Sequence, residues 1–154
     1  MKTKITLQTL KGGIAVLLLL LSTAFTSCSG DDSNTTNSEK AMLIGSWNRT
    51  KVETRLPGEQ WEDETKPCDL GITEEYFSDG DYAVYPGTNP CGSATVLNGT
   101  WELRAGNKKL VYTYNGDATE YESTIEKLDK DALILTHNSG LTNGMQYRHT
   151  YVKD

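Results

Sequence analysis

From Trp47 onward the side chains alternate with a period of two. Tyr121, Ser123 and Ile125 share one face of a segment whose other face carries Glu120, Glu122, Thr124 and Glu126. Leu110, Tyr112 and Tyr114 share a face, as do Trp101 with Leu103, and Met145 with Tyr147, His149 and Tyr151. Period two with one apolar side marks antiparallel strands that bury one face. The pattern predicts strands over Trp47–Thr54, Ile72–Phe77, Asp81–Tyr85, Thr95–Arg104, Lys109–Tyr114, Thr119–Lys127, Ala132–Thr136 and Met145–Lys153. Short turn sequences join several of them, among them Ser78-Asp79-Gly80, Ala105-Gly106-Asn107 and Asn115-Gly116. The expected fold class is all-β. Eight antiparallel strands in hairpin succession suit an up-and-down barrel, which removes exposed edges by closure. A two-sheet sandwich is the alternative.

The N-terminus follows a different pattern. Lys2, Lys4 and Lys11 precede the apolar run Ile14 to Leu21, and small residues lead to Cys28. A basic start, a short apolar middle and a small-residue break describe a signal peptide. The apolar middle is shorter than the roughly 20 residues a spanning helix needs. Phe25-Thr26-Ser27-Cys28 resembles the lipobox of bacterial lipoproteins, with Phe25 where Leu is usual. The resemblance implies lipidation of Cys28 and attachment to the outer membrane. Ser29-Gly30-Asp31-Asp32-Ser33 resembles the surface-export signal of Bacteroidota lipoproteins, which implies display at the cell surface. The expected organisation is residues 1–27 as signal peptide, residues 28–40 as lipidated cysteine and flexible tether, and residues 41–154 as one barrel domain. The tether reading rests on residues 34–40, where Ser, Thr and Asn predominate and no side chain is apolar.

Charge narrows the partners. Removing residues 1–27 leaves twelve basic against twenty-one acidic residues, a net charge of −9 with the histidines neutral. Such a surface disfavours nucleic acid and anionic headgroups. The membrane is therefore expected as a partner only through the lipid.

Ala41 to Trp47, with Gly45-Ser46-Trp47, is similar to the opening of lipocalin-like domains. Asn98-Gly99-Thr100-Trp101, and Glu75 to Tyr82 with its Asp-Gly turn, resemble small lipocalin-like lipoproteins of Bacteroidota. The resemblance covers residues 41–153. It implies a barrel whose closed end is plugged by Trp47 under an Arg from the last strand, a role for Arg148. It also implies an open opposite end covered by the connection after the first strand.

Candidate chemistry is sparse. Cys68 and Cys91 suit a disulfide in an oxidising compartment, closing a loop of roughly 24 residues and contributing about 3 kcal/mol in the chain-entropy model. Their spacing fits no zinc set, and neither metal nor cofactor is expected. His137 and His149 stand on different elements, and no nucleophile elbow, P-loop or dinucleotide fingerprint occurs. Enzymatic activity is therefore not expected. Glu74 and Glu75 are neighbours on a strand, point to opposite faces and make a poor acid–base pair. Trp61 sits in the long acidic connection from Leu56 to Thr65, either capping a ligand or packing the loop onto the barrel. The expected function is non-covalent binding of a small apolar or amphipathic ligand by Trp61, Tyr112, Tyr147 and His149. The alternative is a protein-interaction or structural module with a solid barrel.

Overall fold

The computed structural model describes residues 32–88, 90, 94–140 and 143–154. The lipobox, Cys28, Asp31 and Cys91 lie outside the described residues. Asn34–Asp154 form one compact unit.

Helix α1 (Asp32–Leu43) precedes nine strands: β1 (Gly45–Arg55), β2 (Glu62–Asp63), β3 (Thr73–Tyr76), β4 (Asp81–Tyr85), β5 (Leu97–Arg104), β6 (Lys109–Tyr114), β7 (Tyr121–Leu128), β8 (Ala132–Asn138) and β9 (Gln146–Lys153). All neighbouring strands pair antiparallel, and β1 pairs with β9 to close the sheet. The result is a closed eight-stranded up-and-down barrel to which the two-residue β2 is an addition. Register shifts at Arg49/Lys51 in β1 and at Ile125/Lys127 in β7 are bulges. Such bulges bend strands and help a sheet curl shut. Gly99 in β5 allows another close approach: a Cβ there would stand 1.7 Å from the Thr113 carbonyl oxygen across the β5–β6 ladder.

One barrel end is packed solid. Trp47, Tyr76, Leu110, Leu133 and Tyr151 are essentially inaccessible there, together with Leu43 from the end of α1. Trp101 is also buried and donates from its indole to the Phe77 carbonyl at 3.1 Å. Tyr112, Ile125 and Tyr147, expected in the core by alternation, are half-buried.

Residues 34–40, expected as a tether, are helical. The helix ends where the polar segment gives way to apolar residues, at Met42-Leu43, and that end is held by the barrel. The last carbonyls of a helix lack intrahelical donors. Here the Trp47 indole donates to the Leu43 carbonyl at 2.7 Å, while the Lys153 ammonium donates to those of Met42 and Ile44 at 2.6 and 2.8 Å. A cation at a helix C-terminus also complements the helix dipole. Lys153 lies over the Trp47 ring at 4.8 Å. The last-strand cation above the first-strand tryptophan is thus Lys153, not Arg148. Lys153 pairs across from Trp47 in the β1–β9 register, whereas Arg148 pairs with Glu53 near the other end.

Candidate functional site

Trp61 is on the outer wall and not over the mouth. It is sandwiched between the guanidinium groups of Arg55 and Arg148, at 4.2 and 4.4 Å from the ring centre. The physical cause is an edge. The four-residue β3 covers only Gly45–Asn48 of β1, so the far half of that strand would leave its backbone groups unpaired. The connection folds back to fill the gap. Glu62 and Asp63 pair with Thr54 and Glu53, and the Thr65 hydroxyl both accepts from the Val52 amide (2.9 Å) and donates to its carbonyl (3.2 Å). Trp61 is thereby laid against outward residues. Beneath it Glu53 accepts from Arg148 and Lys51, each at 2.8 Å. Burial alone would raise that carboxyl, but the two cations hold it below its usual range.

The barrel interior above the packed floor is polar. At its centre stands Glu74, buried and reached by four donors. The Tyr151 and Arg49 groups donate to Oε1 at 2.6 and 3.0 Å, and the Tyr76 and Tyr82 hydroxyls to Oε2 at 2.8 and 2.9 Å. Burial works to raise the Glu74 pKa. The adjacent guanidinium and the hydroxyl donors outweigh it, so the carboxyl stays ionised. Burial and the same carboxylate push the Tyr76, Tyr82 and Tyr151 hydroxyls well up, which keeps them neutral donors. Glu75, the next residue, pairs on the outward side, as strand geometry requires.

Beside this network is a chamber of about 200 Å³, lined by Arg49, Glu74, Tyr112, Tyr114, His137 and His149, with Val84 and Leu135 among its apolar parts. A second cavity of about 420 Å³ opens at the mouth, lined by Val52, Thr54, Tyr147, His149 and the Glu64, Lys66 and Asp69 side chains of the first connection. His149 lines both. The Arg49 Nε is buried in the wall without a hydrogen-bond partner. Tyr82, Tyr112, Tyr114 and Tyr121 form a ring ladder on one side, with Tyr112 and Tyr121 stacked at 5.5 Å. On the other side His137 stacks on Tyr147 at 5.5 Å and meets His149 edge-on at 5.0 Å. Burial, then the Arg49 charge, then His137 depress the His149 pKa to about 3, and burial with Arg49 lowers that of His137. Both rings are neutral at pH 7. The Tyr114 hydroxyl is pushed up to about 12, chiefly by burial.

Of the four residues expected to bind ligand, Tyr112 lines the chamber, Tyr147 the mouth cavity and His149 both, while Trp61 lines neither. Three groups were missed: Arg49, Glu74 and His137. Alternation held a signal for the first two, since Arg49 follows Trp47 at i+2 and Glu74 precedes Tyr76 at i+2, putting charges on the inward face. His137 joins His149 through the β8–β9 register, in which His137 pairs with Tyr147 and Leu135 with His149. Cys68 is half-buried in the turn before β3, with its expected partner Cys91 outside the described residues. Among the described residues no three His, Cys, Asp or Glu side chains converge as a metal site.

Residues 43–135 match the family model of the lipocalin-like domain. Among solved structures the chain is similar to a lipocalin-like protein from Bacteroides uniformis ATCC 8492, at 13% identity over 73% of this chain and 99% of that one, with a TM-score of 0.46. It is also similar to lobster apocrustacyanin A1 and to apocrustacyanin C2, each at 15% identity over 82% of this chain and 70% of the other, with TM-scores of 0.48. No curated protein matches.

Proposed function

The chain belongs to the lipocalin-like domain family, and from that premise we propose that it is a cell-envelope carrier that holds a small amphipathic ligand non-covalently inside its barrel. The observation that carries this reading is the polar chamber above the packed floor, which shares His149 with the lining of the mouth cavity. A solid interaction module would fill that space with side chains, as small barrels often do. The lining favours an amphipathic ligand over a purely apolar one, because rings and aliphatic groups alternate with Arg49, Glu74 and two neutral imidazoles. A binding role is favoured over a catalytic one. Glu74 is saturated by four donors and has no proton to give, and among the described residues the hydrogen-bond partner of His149 is the Tyr151 hydroxyl, at 3.3 Å from Nδ1.

The reading includes a lipid on Cys28 and attachment to the outer membrane at the cell surface, supported by the lipobox and the acidic pair after it. It also includes a Cys68–Cys91 bridge, supported by export. Cys28→Ser should move the protein to the soluble fraction, and an unlipidated mature N-terminus by intact mass would refute the anchor. Carrier function is tested by titrating N-phenyl-1-naphthylamine and a panel of fatty acids, phenols and glycans. Val84→Phe, which fills the chamber at a folding cost of about 1–3 kcal/mol, should abolish binding. Equal binding by wild type and this variant would place the ligand elsewhere.

A further inference from the structure

The inner chamber is electrically balanced, and that balance limits what can enter. Arg49 and Glu74 cancel one another at 3.0 Å. The remaining titratable groups facing the two histidines are the Tyr112 and Tyr114 hydroxyls of β6 and the Tyr151 hydroxyl of β9, all pushed up by burial, together with Tyr147 of β9. At the mouth stand Glu64, Lys66 and Asp69, with a net charge of −1. An added anion would leave an uncompensated charge in a desolvated space, which is costly.

Arg49, His137 and His149 line this chamber, and each keeps hydrogen-bonding capacity that the protein does not use. The Arg49 Nη2 is engaged by Glu74 and Tyr151, but its Nε is buried and has no partner. A guanidinium edge suits a planar oxygen acceptor. His137 and His149 have rings 5.0 Å apart, and a neutral imidazole carries one donor and one acceptor. The Tyr151 hydroxyl meets His149 Nδ1 at 3.3 Å, which leaves the other nitrogen of that ring for a ligand. A carboxylic acid group matches this set, with a carbonyl oxygen for the Arg49 edge and a hydroxyl for an imidazole nitrogen. The rings of Tyr112, Tyr114 and His137 line the same chamber and give an aromatic ligand ring surfaces to pack on. At about 200 Å³ the chamber falls below the roughly 300–1,000 Å³ of drug-sized pockets, so the ligand is small.

We propose that the inner chamber binds a small aromatic carboxylic acid, taken up together with one proton. The proposal rests on the carrier reading. The proton enters either on the acid or on an imidazole that the acid then pairs with, and no covalent bond is made. In both cases the chamber stays neutral. At pH 7, where the free acid is ionised, each binding event withdraws one proton from solution. The depressed pKa of His149 agrees with a ring that is neutral in the empty chamber and gains a proton only beside an anion.

The test is calorimetry of the full chain with benzoate in buffers of different ionisation enthalpy, from pH 6 to pH 8. Benzamide serves as the neutral isostere and N-phenyl-1-naphthylamine as a neutral apolar probe. Benzoate should bind with about one proton taken up, and its affinity should fall about tenfold per pH unit. Benzamide binding should be flat with pH. His137→Phe/His149→Phe, folded by tryptophan emission, should weaken benzoate by about 10- to 100-fold, the value of a charge-assisted hydrogen bond. Benzoate binding with no proton uptake overturns the proposal. Binding of benzamide or the dye without benzoate also overturns it and leaves the carrier reading standing. If none of the three binds a folded barrel, both are refuted.

Discussion

Glu74→Gln is the substitution that tests the interior most directly. It keeps the side chain's shape and removes its charge. Glu74 has a side chain 7% exposed and is the acceptor for Arg49, Tyr76, Tyr82 and Tyr151. In the variant Arg49 becomes a cation with no counter-charge in its wall, and one amide NH₂ must face hydroxyls that previously donated. Removing one partner of a buried pair typically costs about 3–5 kcal/mol, because the survivor's desolvation is no longer offset. Arg49→Met should cost a similar amount by stranding the carboxylate. The double variant should be less destabilised than the sum of the two, with a coupling of at least about 2 kcal/mol, since neither charge is then left alone. Urea denaturation at pH 7, followed by tryptophan emission, gives all four corners of the cycle. Single variants that each lose under about 1 kcal/mol, or an additive double variant, would mean that Glu74 is solvated, and the description of the interior would be wrong.

The other predictions concern the wall, the ladder and acidity. Trp61→Ala should leave ligand affinity unchanged and cost about 1–2 kcal/mol, from two lost cation–ring contacts of about 0.5–1 kcal/mol each; weaker binding at unchanged stability would return Trp61 to the mouth. Gly99→Ala drives a methyl group against the Thr113 carbonyl and should destabilise by more than about 1 kcal/mol, whereas Gly116→Ala, with open space around it but φ at +86°, should cost only the backbone strain of roughly 1 kcal/mol; equal urea midpoints would argue against the tight β5–β6 approach. His149 has a folded pKa near 3, below its usual value of about 6.5. The unfolded chain therefore binds more protons as pH falls through 6.5, so this group's contribution is full above that pH and declines below it. The urea midpoint should drop between pH 7.5 and pH 5, less so in His137→Phe/His149→Phe; parallel profiles would show that the imidazoles are solvated. Glu74, with its pKa lowered, stabilises above the usual carboxylate range and loses that contribution only as pH falls further, through its own folded value.

What could be read along the chain was local and periodic. Alternating side chains mark strands because neighbouring residues on a strand face opposite ways, and turn residues mark the joins because only they accept the required backbone angles. The eight barrel strands, the inward placement of Tyr112, Tyr147 and His149, and the outward placement of Glu75 all follow from that rule. The short tryptophan motifs belonged to the same legible layer. Gly99 lies in one of them where two backbones nearly touch.

Tertiary structure decided what depends on pairing register and on length mismatch. The shortness of β3 left part of β1 unpaired, and that vacancy drew in β2 and carried Trp61 to the outer wall. Register set Lys153, and not Arg148, opposite Trp47, and gave a polar segment a reason to be helical by capping the end of α1. Along the chain Glu74 was only a poor acid–base partner for Glu75, until closure placed Arg49 and three tyrosines around it from β1, β3, β4 and β9. His137 and His149 are twelve positions apart and became neighbours only through the β8–β9 ladder. A strand's own sequence specifies which side chains point inward. Only the closed barrel specifies which inward side chains meet, and the chamber is made of those meetings.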